Sequence, residues 1–411
     1  MRTLIRPNAM TEATGVAPDQ WPKIWTPMPQ SQDKVPRLFL LDASFIFMGI
    51  GTTILGPVLP SLSSHWGMND AHAGALFTAQ FLGSSLGAVL AALRPYRNAI
   101  AGISIAALGL LLLPLATPLS AFPLIFFYGL GVGLVLTGIN LTTSNVAGEK
   151  RGVALSWLNF SWSLGATLCP LLVAFSLTQH RLTAFLALLA VSYAGMAALL
   201  FVHARDYAVA GPGPATLEGD TVPSLKFLLA YFGALLFLYV GVETTLGGWL
   251  STLAERLPHA SVMGAFAVSA SSFFWLSLLV GRGVTPLLLR RIPGAVLQPA
   301  AIGLLVVSIG LLLAARSFVG VAAAGSLAGL SLAPVFPLST SFYLARAGRS
   351  KSAGLVFAIS GFGGAVLPWI TGIVSSREHS LQWGLVVPWI GAASMLGLGL
   401  YYVLSPRFRR R

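Results

Sequence analysis

The 411-residue chain is predicted to be an all-α integral membrane protein with twelve transmembrane helices in two pseudo-symmetric six-helix bundles. Three observations predict this. At 55% hydrophobic and 9% charged residues, with a mean hydropathy of +0.80, the chain cannot clothe a water-facing surface. It divides into twelve apolar runs, each near the ~20 residues that span a ~30 Å hydrocarbon core at 1.5 Å per residue. Its cations are one-sided: even-numbered connections, both tails and the nearby end of helix 8 hold 21 of the 25 Lys and Arg, leaving Arg181, Arg256, Arg316 and Arg377 on the other face. The basic face is the cytoplasmic one, so both termini are expected there, in a multi-pass protein of the plasma (inner) membrane.

In chain order, residues 1–36 carry Arg2, Arg6, Lys23 and Lys34 without an apolar stretch of signal-peptide length, and are expected to form a disordered cytoplasmic tail. Residues 37–205 form the first bundle, with spans near 38–62, 72–93, 98–117, 121–146, 153–176 and 182–203. Residues 206–224 contain Gly211-Pro212-Gly213-Pro214 and read as a flexible cytoplasmic linker. The second bundle, 225–405, has spans near 227–251, 262–285, 294–314, 318–344, 352–375 and 383–404, before a basic tail at 406–411.

The formal net charge of +13 lies between apolar runs, so it reads as a topology signal beside anionic lipid, and no nucleic acid partner is expected. Cys169, the one cysteine, lies in an apolar segment and reads as a small core residue. All six histidines fall at helix ends or in loops, which argues against a histidine proton relay at membrane depth. No metal set, cofactor motif or nucleophile–base pair is present, so an enzyme is not expected.

The second half repeats the first. Gly49-Ile50-Gly51-Thr52-Thr53 of helix 1 is alike to Gly241-Val242-Glu243-Thr244-Thr245 of helix 7, except that Gly51 stands where the second copy has Glu243. Gly129 and Gly133 of helix 4 match Gly325 and Gly329 of helix 10, and Gly165 and Pro170 of helix 5 match Gly363 and Pro368 of helix 11. Order and spacing together indicate duplication. Helices 1, 4, 7 and 10 are rich in Gly and Pro and read as interrupted, which is tolerated at membrane depth only against protein or a water-filled cavity. As a set they are expected to line a central cavity; singly, each glycine serves equally well for close helix packing.

This 6+6 plan, with Gly148-Glu149-Lys150-Arg151-Gly152 between helices 4 and 5 and Gly56-Pro57-Val58-Leu59-Pro60 ending helix 1, resembles the major facilitator superfamily over residues 37–405. The family's loop between helices 2 and 3 survives as Gly87 and Arg94-Pro95-Tyr96-Arg97, without its aspartate. Tyr239-Val240-Gly241-Val242-Glu243, Gly247-Gly248-Trp249-Leu250, Phe274-Trp275 and Gly281-Arg282 resemble the fucose–galactose–glucose symporter branch. The resemblance implies the major facilitator fold, a monomer, a sugar as small-molecule substrate and protons as driving ion. It places a cytoplasmic gate at Arg94, Arg97, Glu149, Lys150, Arg151 and Arg282. In the helix 5 string Gly165 to Leu172, Cys169 stands where drug antiporters of the family carry a glycine, which weakens an efflux reading.

Two carboxylates lie within the spans, and each costs at least ~2.5 kcal/mol at membrane depth on insertion scales. Glu243, about 21 Å into helix 7, is read as the proton-coupling or substrate-binding group, or else as the partner of Arg282 or Arg256. Asp42, near the start of helix 1, is read as a gate or fold salt bridge to Arg37 or a loop cation, or as a second coupling group. Sugar binding needs hydroxyl partners and aromatic faces, for which the candidates are Gln80, Asn140, Asn159, Thr244, Trp157, Trp162, Trp249 and Trp275. For the two asparagines and Gln80, interhelical hydrogen bonding is the competing fate, and for Trp249 the outer aromatic belt. The function expected is proton-coupled monosaccharide symport, with efflux of drugs or metabolites and ligand sensing as the alternatives.

Overall fold

The computed structural model describes residues 38–147, 151–207, 225–258, 264–347 and 352–405. Both expected tails and all but the first two residues of the expected linker lie outside them. Among the described residues, twelve helices are long and apolar enough to cross a membrane. They are α1 (Leu38–Trp66), α2 (Asp70–Ala91), α3 (Pro95–Leu115), α4 (Pro118–Ala147), α5 (Gly152–Thr178) and α6 (Leu182–Val202). The second six are α7 (Leu225–Glu255), α8 (Phe266–Leu288), α9 (Gly294–Ala314), α10 (Phe318–Tyr343), α11 (Ala358–Glu378) and α12 (Leu381–Leu404). All twelve predicted spans are present. Because the count is even, Leu38 and Leu404 share one end of the bundle, here the tail end; Asp70 and Glu255 mark the far end.

Of the four helices expected to be interrupted, only two are. α1 consists of Leu38–Thr53 and Leu55–Trp66, and the second helix of α10 begins at Val335, after Leu332. Proline explains both breaks: Pro57 has no N–H for the Thr53 carbonyl, nor Pro337 for that of Ala333. The chain around the α1 break is held by side chains from its own half. Tyr128 donates its hydroxyl to the Gly51 carbonyl at 2.7 Å, and Gln80 donates its amide to that of Thr52 at 3.0 Å. α4 and α7 run unbroken, because glycine loosens a helix but removes no donor.

The repeated glycines pack helices, the role left open to each of them singly. A Cβ on Gly165 of α5 would collide with the Ile46 carbonyl of α1, and one on Gly363 of α11 with the Phe237 carbonyl of α7. Gly133 of α4 lies equally tight on Ser84 of α2, and Gly329 of α10 on Phe274 of α8. The α1–α5 and α2–α4 contacts of the first half therefore recur as α7–α11 and α8–α10 in the second. Small residues let these backbones approach where lipid supplies no hydrophobic drive between helices.

The halves meet where α2 packs on α11, α5 on α8, and the far-end segment of α1 on α7. A Cβ on Gly56 would meet Gly247 and Gly248, and one on Gly74 would meet Pro368 and Trp369. Hydrogen bonds cross this seam from the far end to mid-depth. The Ala71 amide donates to Ser376 Oγ at 2.9 Å, and the Thr78 hydroxyl donates to the Ala365 carbonyl at 2.7 Å.

Candidate functional site at mid-depth

Glu243 lies 18 residues along α7, about 27 Å from its first residue, and its side chain is only 14% exposed. Its Oε1 accepts the Tyr239 hydroxyl at 2.9 Å and the Arg282 Nη2 donor of α8 at 3.4 Å. The helix sets the first contact, since residues four apart stack on one face. Arg282 also reaches across the seam. Its Nη1 donates to Ser163 Oγ of α5 at 2.9 Å, and its guanidinium carbon lies 5.8 Å from the centre of the Trp162 ring.

Trp162 extends the network in two directions. Its ring meets that of Trp275 edge-on, with centroids 5.7 Å apart, and its indole N–H points at Thr52 Oγ1 at 3.4 Å. The Thr52 carbonyl is the acceptor of Gln80. A polar chain thus links α2, α1 and α5 of the first half to α8 and α7 of the second, and Arg282 is its cross-seam link. A buried carboxylate beside a guanidinium is electrically neutral as a pair, and a cation or proton arriving at the carboxylate would release the arginine.

The structure brings Glu243, Arg282, Trp162, Trp275 and Gln80 into this chain, and leaves other candidates outside it. Arg282, expected at the cytoplasmic gate, pairs with Glu243 at mid-depth, since α8 places it about two turns from Trp275 on the same face. Gln80 is buried in the first half, beside an enclosed cavity of about 20 Å³, room for one water, lined also by Ile54, Val58 and Tyr128. Trp249 is fully buried and donates to the Pro368 carbonyl at 3.1 Å, so it is a cross-helix strut and not part of an outer aromatic belt.

Asn140 and Asn159 each donate to the carbonyl four residues back, Leu136 and Leu155, and so bridge no helices. Trp157 is 60% exposed and edges onto Phe160 of its own helix; Thr244 is half-buried. Asp42 is half-buried and forms no ion pair among the described residues; Arg37, its expected partner, lies outside them. Arg94 and Arg97 are exposed at the start of α3, with no ion pair among the described residues. Glu149, Lys150 and the side chain of Arg151 lie outside those described.

A second cluster was not expected from the sequence. At the far end, Arg256 donates from Nη2 to Asp70 Oδ1 at 2.6 Å and from Nη1 to Oδ2 at 2.7 Å. Ser375 of α11 donates to the same Oδ2 at 2.5 Å. The clamp ties α2 to both α7 and α11, and it settles the alternative partners of Glu243, since Arg256 is engaged elsewhere. Hydrogen bonding to the Asp70 carboxylate also raises the Arg256 pKa above its already high ordinary value. Asp70 starts α2 and is 186 positions from Arg256, so neither residue stands in an apolar pattern that would mark it.

Twelve membrane-length helices, a duplicated six-helix plan and an ion pair at mid-depth beside the seam are the build of a polytopic membrane transporter. A family model described as the Major Facilitator Superfamily matches residues 41–368, and the chain belongs to that family. Among curated proteins, it is 26% identical over 422 residues to the human sodium-dependent glucose transporter 1, covering 90% of this chain and 80% of the relative. Among solved structures, the D-xylose-proton symporter superposes with a TM-score of 0.69 at 13% identity, covering 87% of this chain and 96% of that one. The E. coli fucose:proton symporter FucP superposes with a TM-score of 0.58 at 18% identity, covering 91% and 98%. At such identities the solved structures show a shared fold.

Proposed function

We propose that the protein is a secondary active transporter that moves a monosaccharide by alternating access, with Glu243 as its ion-coupling carboxylate. The observation that carries this reading is the Glu243–Arg282–Ser163 link: one buried ion pair whose arginine also holds the opposite half. While Glu243 is charged, Arg282 is drawn to it and the α5–α8 contact is held. A cation on the carboxylate cancels that attraction, frees the guanidinium for the solute, and changes the energy of rocking the halves apart. Tyr239 keeps the carboxylate oriented through either state.

The basic-residue bias supports a cytoplasmic tail end, so the state with its far end clamped opens inward. Two coupling ions suit the site. Carboxylate chemistry and the symporters of similar fold favour a proton, whereas the name of the human relative favours sodium. An aromatic pair beside charged and hydroxyl donors suits a sugar ring, with its apolar faces and polar rim. The expectation of an amphipathic efflux substrate finds less support, because the site is lined by directed polar groups.

The test is uptake of a radiolabelled monosaccharide panel into proteoliposomes under an inward proton gradient, an inward sodium gradient, or neither. Accumulation of one sugar under one gradient is expected, and Glu243→Gln should abolish accumulation while sparing exchange. Gradient-driven accumulation that persists in Glu243→Gln removes the coupling role; absence of any sugar movement removes the substrate class.

A further inference from the structure

We infer that Ser272 and Trp275, with Ser269 one turn above, form a hydroxyl-binding ledge on α8 that docks the solute when access is from the far end; this rests on the monosaccharide reading above. Many spanning-helix hydroxyls fold back on their own helix, while Thr143, Thr252, Thr340 and Thr371 lie singly on other helices without a partner among the described residues. Ser44, Thr142, Thr245 and Thr285 each donate to the carbonyl four residues back at 2.7 Å. Ser272 does not, and the reason is visible: the carbonyl four residues back, that of Val268, already accepts the Ser251 hydroxyl at 2.7 Å.

Ser269 Oγ, Ser272 Oγ and Trp275 Nε1 are all buried with no hydrogen-bond partner among the described residues. Spaced three apart, they share one side of α8. That side belongs to the seam. α8 and the 3₁₀ turn Gly264–Ser269 that opens it both pack on α5, and Trp275 lies edge-on to Trp162 there. A buried polar group without a partner is unfavourable, and three such groups converge at one place here. Parting α5 from α8 at the far end would relieve all three.

The chemistry of the ledge selects its ligand. An indole N–H only donates, whereas a serine hydroxyl donates and accepts. A solute hydroxyl satisfies both at once, accepting from Trp275 and bonding Ser272 in either direction. A polyhydroxylated ring offers several such groups at adjacent positions, whereas an apolar amphiphile offers none. Ser272 lies one turn beyond the Trp162–Trp275 pair toward the far end, so a sugar docked on the ledge would pass directly to the mid-depth site.

Cys169, the only cysteine, is buried, so Cys169→Ala provides a thiol-free background. In that background, Ser272→Cys is expected to react with a membrane-impermeant methanethiosulfonate added at the far-end side, and a transported monosaccharide should slow the reaction at least about 3-fold. Independently, Trp275→Phe keeps a ring and removes the N–H; it should raise KM about 5-fold with kcat kept, as expected for a lost hydrogen bond of uniform binding. A thiol unreactive from the far side, a reaction rate indifferent to saturating sugar, or an unchanged KM in Trp275→Phe overturns the ledge. Wild-type vesicles assayed in parallel separate the two failures. If they transport the sugar while the ledge gives any of these results, only the ledge is lost; if they transport no sugar, the monosaccharide reading falls and takes the ledge with it.

Discussion

Positions 51 and 243 are equivalent in the repeat and solve the same place in opposite ways. In the second half, Glu243 fills it with a carboxylate held by Tyr239 and Arg282. In the first half, the hydroxyls of Tyr128 and Tyr193 occupy the volume that any side chain at Gly51 would need. Gly51→Ala should therefore destabilise the protein by about 1–3 kcal/mol through overpacking, read as a lowered thermal midpoint in detergent, with Tyr193→Phe recovering part of the loss. Glu243 was legible in the sequence because a carboxylate at membrane depth needs a reason. Its partners were half legible. Arg282 is one of two cations the sequence offers Glu243 and is also a gate candidate, and Tyr239, four residues before Glu243 on the same helix face, is marked only by that spacing. Asn140 and Asn159 each donate to their own helix and not across helices, a fate that residue type does not reveal.

At the level of elements, the twelve spans could be read because their length is set by the bilayer and their ends by polar punctuation. The repeat could be read too, but its meaning differed: glycine periodicity reports close backbone approach as readily as a lining wall. Among the four Gly- and Pro-rich helices only the prolines cause breaks, in α1 and α10, and α12 is divided in the same way at Leu385, where Pro388 has no N–H for the Gly384 carbonyl. The packing role has a sharp test. Gly165→Ala should lower the thermal midpoint markedly and reduce folded yield, since its Cβ collides with the Ile46 carbonyl, while Gly195→Ala, which meets open space, should stay within about 0.5 kcal/mol of wild type. Equal effects at the two positions would argue against close α1–α5 packing as the purpose of the repeated glycines.

For the whole molecule, the far-end clamp could not be foreseen, because its three residues come from separate helices and its charges sit at span ends, where ionisable residues are ordinary. Asp70 is buried while the Arg256 side chain remains 45% exposed, so removing the arginine strands a carboxylate that has little access to water. Arg256→Gln should weaken far-end closure by about 1–3 kcal/mol, seen as faster far-side labelling of the Ser272→Cys reporter in the Cys169→Ala background. The exchanged pair Asp70→Arg with Arg256→Asp should recover part of the closure; labelling unchanged in Arg256→Gln would show that packing alone shuts this end. The unequal filling of positions 51 and 243 also bears on energetics across the membrane. If Glu243 couples transport as proposed, a carboxylate retained in one copy and excluded by two tyrosines from the other would let this depth carry a single charge per cycle. On that stoichiometry a neutral solute could be concentrated by no more than about tenfold for each ~59 mV of driving force, a ceiling inherited from the way one half of a duplicated gene product filled its core.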